Sequence, residues 1–317
     1  MESPPPIDAP YYLPMTIHIV RRGDGGGGFT QSQLEIAMRD LNRIWRQAGI
    51  QFFIYGEIDY INNDTHFNIP ENQAAREALR TLNVVANTIN VYFTNLVNLG
   101  GQASFTTSAN QGILMNNTAA GNTHAPAIFA HEVGHYFDLF HTHETGFGVE
   151  CPNGNNCSEA GDRLCDTPAD PGLSISGGLV SRVDSNCVYD NSAALPMGCD
   201  ETPYNPPTRN VMSYTTDTCR AQMTGNQISK ALRTLRDTAN RRNLITVVTR
   251  YVDPISGASS GNCNYNSPCR TVAKAVQAAQ PGDFIFLKPG AYQASSIGGK
   301  RVTLNRWGMA GLVEIAP

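Results

Sequence analysis

The chain has 317 residues, a formal net charge of −4, 41% hydrophobic and 16% charged residues, and eight cysteines. That length allows one large domain or two smaller ones, the charge density is too low for a disordered chain, and the near-neutral balance argues against nucleic acid as the main partner. No apolar run approaches the ~18 residues of a membrane span, and the amino end lacks the basic-then-apolar pattern of a signal peptide.

Met15–Arg22 alternates and predicts a strand, followed by a Gly-rich loop over 23–28. Thr30 is placed to cap a helix over 31–48, whose Leu34, Ala37, Leu41, Ile44 and Trp45 recur at helical spacing. Ile50–Tyr60 predicts a strand, Glu71–Leu82 a second helix and Ile89–Phe93 a buried strand. Gln102–Phe105 and Gly112–Met115 are short strand candidates, and Pro126–Phe140 is strongly helical. Residues 144–210 are rich in Gly, Pro, Asn, Asp and Cys, with little periodicity. A loop of that length in a compact domain is usually functional or cross-linked. Thr224–Asn243 predicts a closing helix, and the sequence of elements indicates an α+β fold. From about Leu244 the texture changes. Val247–Val252, Phe284–Lys288, Val302–Asn305 and Leu312–Ile315 predict short strands, and Cys269–Ala279 a short helix. The expected division is a domain over 1–245 and a smaller β-rich module over 246–317.

Charge and cysteine follow the same division. Residues 1–245 hold 16 basic and 24 acidic residues, a net of −8, and residues 246–317 hold 7 and 3, a net of +4. Lys230 is the one lysine before position 246. No cysteine precedes Cys151, six fall between Cys151 and Cys219, and Cys263 and Cys269 complete the eight. An even number in two clusters predicts disulfides and a secreted or extracytoplasmic setting; reduced core or metal-binding thiols are the alternative, though Cys-x-x-Cys is absent. With no signal peptide in view, the expectation is a processed or engineered fragment that begins with an added Met.

The chemistry concentrates in His131-Glu132-Val133-Gly134-His135-Tyr136-Phe137-Asp138-Leu139-Phe140-His141. Residues four apart share a helix face, so His131 and His135 can offer imidazoles to one point, with Glu132 beside them. Three neutral imidazoles leave a fourth zinc position open for water, whose pKa the ion lowers towards ~7. Glu132 can then take the proton and pass it to a leaving amine. A straight helix would point His141 roughly 120° away from His135, so the helix must end between them and turn back. His143 is the nearby rival to His141, whereas His18, His66 and His124 are isolated.

This stretch resembles the zinc-binding signature of the metzincin endopeptidases, H-E-x-x-H-x-x-G-x-x-H. Asn210-Val211-Met212-Ser213-Tyr214 resembles their Met-turn, about 70 residues downstream. Within the metzincins, HEVGHYFDLFHTHE, GDRLCDTPAD at Gly161–Asp170 and NVMSYTTDTC at Asn210–Cys219 are most similar to the pappalysin (cytophagalysin-like) family, over roughly residues 11–243. The resemblance implies a twisted mixed sheet with an active-site helix, zinc ligands His131, His135 and His141, general base Glu132, and Met212 as the floor under the metal. Tyr214 would swing its hydroxyl towards the metal or the oxyanion, or is simply a packed tyrosine. Asp138 departs from the pattern, standing where metzincins have a left-handed Gly, which Asp tolerates at modest cost.

The same resemblance implies an acid at the base of the S1′ pocket, here Asp217, and cleavage before Arg or Lys; a solvated loop acid is the alternative. It implies that Gln102–Phe105 is the upper-rim edge strand that binds extended substrate by main-chain hydrogen bonds. It also implies calcium near Asp162, Asp166 and Thr167, for which an Asp-rich turn is the alternative. Family position gives disulfides Cys157–Cys199 and Cys187–Cys219, leaving Cys151–Cys165 and Cys263–Cys269. No cysteine-switch propeptide is expected in this chain. Residues 262–291 look like the opening of a right-handed parallel β-helix, either cut short or packed against the protease. The implied function is a secreted zinc endopeptidase acting on proteins or peptides. The alternative from another class is an adhesion or carbohydrate-binding protein whose β-helix is the functional part.

Overall fold

A computed structural model describes residues 10–121, 126–172, 182–190, 199, 202–247, 249–293, 299–308 and 312–316. His124 lies outside the described residues. The chain opens with β1 (Tyr11–Arg21), whose interior is buried on both faces. Helix α1 (Gln31–Trp45) starts at Thr30, which forms a reciprocal capping box with Gln33. Its Leu34, Ala37, Leu41, Ile44 and Trp45 are all buried, so the spacing seen in the sequence is the core face. Next come β2 (Ile50–Ile54) and β3 (Asp59–Asn62), which the sequence suggested as one strand. They are separate because Gly56 adopts φ +75°. The chain turns there, and both strands pair with β1, against residues 11–15 and 18–21 respectively.

A short helix α2 (Asp64–Phe67) and β4 (Asn68–Ile69) follow, neither foreseen. Helix α3 is Gln73–Leu79, shorter than expected at both ends; Asn72 caps its start. Strands β5 (Ile89–Leu96), β6 (Gly101–Ala103) and β7 (Ile113–Asn116) complete a mixed sheet of order β2-β1-β5-β7-β6. All its ladders are parallel except β6–β7, so β6 is the antiparallel edge strand.

Helix α4 (Ile128–Tyr136) carries the first two candidate ligands. It is held on the sheet by α1, since Trp45 Nε1 donates to the Ala130 carbonyl at 3.1 Å and the Trp45 ring packs on Phe137. The expected closing helix is two helices, α5 (Gly225–Asp237) and α6 (Ala239–Thr246), broken at Thr238, whose backbone is extended. Helix α6 serves the site directly. Arg241 is fully buried, lies over the Tyr136 ring and donates from Nε to the Tyr136 carbonyl at 2.8 Å. A cation there satisfies the open carbonyl end of α4 and its negative dipole end.

The tail contains β8 (Thr249–Val252), α7 (Val272–Ala278), β9 (Phe284–Leu287), β10 (Gly290–Gln293), β11 (Thr303–Arg306) and β12 (Val313–Ala316). Strands β8, β9 and β11 stack in parallel, as do β10 and β12, which is the rung-on-rung pairing of a parallel β-helix. The tail has its own core around Val252, Ile285 and Leu287. It also packs on the front domain through rings: Tyr12 stacks on Phe286 at 4.1 Å, Tyr11 on Tyr265 at 4.1 Å, and Phe53 lies 4.2 Å from Phe284. Trp307, buried in this layer, donates to the Pro10 carbonyl. Among the described residues no ion pair joins the two parts, so aromatic rings rather than paired charges make this contact.

Two disulfides differ from the expected pairing. Cys151 joins Cys199 and Cys157 joins Cys165, in place of Cys157–Cys199 and Cys151–Cys165. The reason is local: the Cys157–Glu159–Ala160 turn folds back on the Gly161–Cys165 segment, which brings Cys157 and Cys165 to a Cα separation of 4.9 Å. Cys187–Cys219 and Cys263–Cys269 are joined as expected.

Candidate metal centre

The three histidines of the motif converge. Their ligand nitrogens all lie within 4.8 Å of one another. His135 Nε2 is 3.1 Å from His131 Nε2 and 3.0 Å from His141 Nε2. The other ring nitrogens of the helical pair are committed. His131 Nδ1 donates to the Val211 carbonyl and His135 Nδ1 to the Leu139 carbonyl, both at 2.8 Å. That fixes the tautomer of both rings and leaves each Nε2 lone pair facing the common point. Three lone pairs so close together repel unless a cation lies between them, and an all-imidazole set suits zinc. Burial is the first cause that holds all three histidines well below the ordinary range, His135 at about 4, so the rings are neutral and able to ligate.

His141 reaches the point because the helix stops at Tyr136 and Asp138 takes φ +62°. The Asp138 carboxylate also accepts from the Thr106 amide at 2.9 Å and from its hydroxyl at 2.7 Å. His143 stacks on His141 with ring centres 4.8 Å apart but is outside the convergent group. His18 is a buried core residue between Asp59 and Asn90, and His66 is only partly exposed on α2.

Glu132 is buried, and burial pushes its carboxyl up to about 8, opposed by the charges of Arg220 and Arg80 and by the Ala103 amide that donates to it. A side chain at Gly101 would collide with Glu132, so β6 both grips this carboxylate and leaves room for it. Met212 is fully buried, with its sulfur against Gly134 between the two helical histidines. Asn210, locked to Gln227 by paired amide hydrogen bonds, accepts from the Met212 amide and sets the turn. Tyr214 is half-buried, its ring 4.7 Å from His141 and 5.7 Å from His131. Asp170 ties the His141 loop to the Met-turn by accepting from Thr142 and Ser213.

Two cavities meet at this centre, and both are lined by Gly101, His131, Glu132 and Tyr214. One, of about 420 Å³, extends past Gln102, Phe105 and Glu77. The other, of about 330 Å³, extends past Thr215 to Asp217 and Arg220. Asp217 is thus in a cavity beside the ligands, and its carboxylate is paired with Arg220. The upper-rim candidate strand is β6 itself, the open edge of the sheet, shifted to Gly101–Ala103.

Of the expected oxygen donors, Asp162 is fully buried with the Thr167 hydroxyl beside it. Asp166 is engaged elsewhere, accepting from Thr224 Oγ1 at 2.9 Å and the Asn226 amide at 2.7 Å at the start of α5. Glu150, which sequence reasoning missed, is buried close to Gly161 with Oε2 lacking a partner. Nothing in the local sequence marks it. Arg220 was also missed; its signal is the three-residue spacing from Asp217 within a turn closed by Cys219.

The family model for M43 peptidases, described as Pregnancy-associated plasma protein-A, matches residues 80–236. The chain is 27% identical over 236 residues to an extracellular metalloprotease of Colletotrichum graminicola, covering 68% of this chain and 72% of that one. It is 28% identical over 241 residues to extracellular metalloprotease 1 of Coccidioides posadasii, covering 70% and 75%. Among solved structures it is similar to mature mirolysin of Tannerella forsythia in complex with a cleaved peptide, with TM-score 0.53 and 19% identity over 75% of this chain and 96% of that one. This last likeness is one of fold.

Proposed function

Because the chain belongs to the pappalysin family of metzincin zinc metalloproteases, we propose that it cleaves peptide bonds with His131, His135 and His141 holding zinc and Glu132 as general base. The observation that carries this is the convergence of three neutral imidazole nitrogens beside one buried carboxylate. A bound zinc ion would supply a Lewis acid that acidifies water and polarises the scissile carbonyl. Glu132, held by the Ala103 amide, accepts a proton from the attacking water and returns it to the leaving nitrogen. Tyr214 lines both cavities and stands ready to donate its hydroxyl to the developing oxyanion. Met212 is the apolar floor under the ligands. The edge of β6 takes extended substrate by main-chain pairing. Loss of casein hydrolysis on zinc chelation, with recovery on adding zinc, tests this reading; hydrolysis that survives metal removal rejects it.

Asp217 supports a preference for Arg or Lys after the scissile bond, since it lies in the cavity on the Thr215 side. Buried Glu150, Asp162 and Thr167 support a structural calcium ion, with Asp166 serving α5 instead. Secretion is supported by four disulfides and by relatives named extracellular metalloproteases. Among the described residues no helix is long and apolar enough to cross a membrane. We place the boundary between the catalytic domain and the β-helix-like module at about 245/246, where α6 leaves the front core.

A further inference from the structure

We infer that Arg220 sets how strongly the pocket beside the zinc ligands discriminates charge in its substrate, by occupying the carboxylate of Asp217. The inference rests on the reading of Asp217 as the residue that meets the side chain after the scissile bond. Both residues line the same cavity, together with Thr215, Asn98 and Glu132. Arg220 is 6% exposed, so its guanidinium is a built part of the wall rather than a surface cation. It pairs with Asp217 and donates from Nη1 to the Ser213 carbonyl at 3.3 Å. The neighbouring Cys187–Cys219 disulfide anchors the segment that carries it.

A carboxylate at a pocket wall attracts a basic side chain only to the extent that its charge is uncompensated. Here a fixed guanidinium compensates it. An incoming Arg or Lys must share Asp217 with Arg220 and meet like-charge repulsion from its guanidinium. The preference that Asp217 alone would confer is therefore held down. The pair also predicts a sign reversal. Removing Arg220 exposes an acid that selects basic residues, whereas removing the charge of Asp217 exposes a buried cation that selects acidic ones.

The test is a matched set of quenched peptides that differ only after the scissile bond, with Arg, Gln or Glu there. Their kcat/KM ratios are read on the zinc-loaded full chain. The wild type is expected to favour Arg over Gln by only a few-fold, and Arg220→Gln to raise that ratio about tenfold. Asp217→Asn should invert the order so that Glu exceeds Gln, and the double variant should show no charge preference. Arg220→Lys, which keeps the charge, should hold the low wild-type ratio, and Arg220→Met, which removes the charge but keeps the stem, should raise it and serves where Arg220→Gln fails to fold. If Arg220→Gln leaves the Arg/Gln ratio at its wild-type value while Asp217→Asn lowers it, the inference is overturned and the reading of Asp217 stands. If changing Asp217 moves no ratio in either background, the reading of Asp217 falls and the inference with it.

Discussion

Asp138 is bound through both carboxylate oxygens to Thr106, by the amide at 2.9 Å and the hydroxyl at 2.7 Å. The side chain that costs something in the left-handed turn is thus repaid by a link to the loop after β6. That loop also lines the cleft, with Phe105 packed 5.5 Å from the His135 ring. Two effects oppose each other in Asp138→Gly. Glycine relieves about 1 kcal/mol of backbone cost, but hydrogen bonds to a charged group contribute about 1.5–3 kcal/mol each. The net expectation is destabilisation by about 2–5 kcal/mol, with Asp138→Ala worse because it loses the bonds and keeps the strain. Thermal melting of the zinc-loaded variants checks this. A glycine variant more stable than the wild type by about 1 kcal/mol would show that the Thr106 link contributes nothing.

Glu150 and Asp162 give a pH dependence with a definite sign. Burial raises both carboxyls to about 7 from ordinary values of 4.5 and 3.8, with the charges of Asp162 and Asp170 adding to the rise at Glu150. The folded state then binds these protons more tightly than the unfolded chain. Their contribution to stability is full below about pH 4 and is lost as pH rises through 7. A divalent cation between the carboxylates would replace the protons. In a calcium-selective chelator the melting temperature should fall between pH 5 and 8, and in millimolar calcium the fall should disappear. The same slope in both conditions would count against calcium at this loop.

Much of the centre was legible because its chemistry is local. A four-residue spacing on a helix places His131 and His135 together whatever the rest of the chain does. The core face of α1 was equally plain, since burial repeats with the helix period. What could not be read depends on distant contacts. Cys151 and Cys157 are six residues apart, and either could meet Cys165 or Cys199; the backbone turn at Gly154–Gly161 decides which. The three-residue spacing of Arg220 from Asp217 acquires a role only once the Met-turn lies beside Glu132, where both residues line one cavity. β4, of two residues, carries too little pattern to show, and β10, two residues after β9, was not set apart from the turn that follows β9.

The aromatic layer between the tail and the front domain should contribute strongly to stability. Phe286 is 1% exposed and touches Tyr12, Phe53, Tyr251 and Phe284. Phe286→Ala should cost about 3–5 kcal/mol through lost burial and a residual cavity. Limited proteolysis should then release the tail while the front domain persists. A variant with unchanged melting and unchanged cleavage pattern would mean that the tail does not stabilise the protease.

The Met-turn offers a graded test. Met212→Leu keeps volume and apolarity beneath His131 and His135, and should cost less than about 1.5 kcal/mol. Met212→Ala opens a cavity next to Gly134 and should cost about 2–5 kcal/mol. Zinc content by atomic absorption, read beside the melt, should fall for the alanine variant only. Equal zinc retention in both would assign Met212 to packing alone.

In this reading a carboxylate at position 132 moves the proton while three histidines hold the metal. The direct measurement is peptide hydrolysis by Glu132→Gln, with bound zinc determined on the same sample. Removal of a general acid–base group predicts a fall in kcat of at least about 10²–10⁴-fold, with one zinc per chain retained and KM little changed. Hydrolysis at the wild-type rate by the zinc-loaded variant would remove Glu132 from the proton transfer.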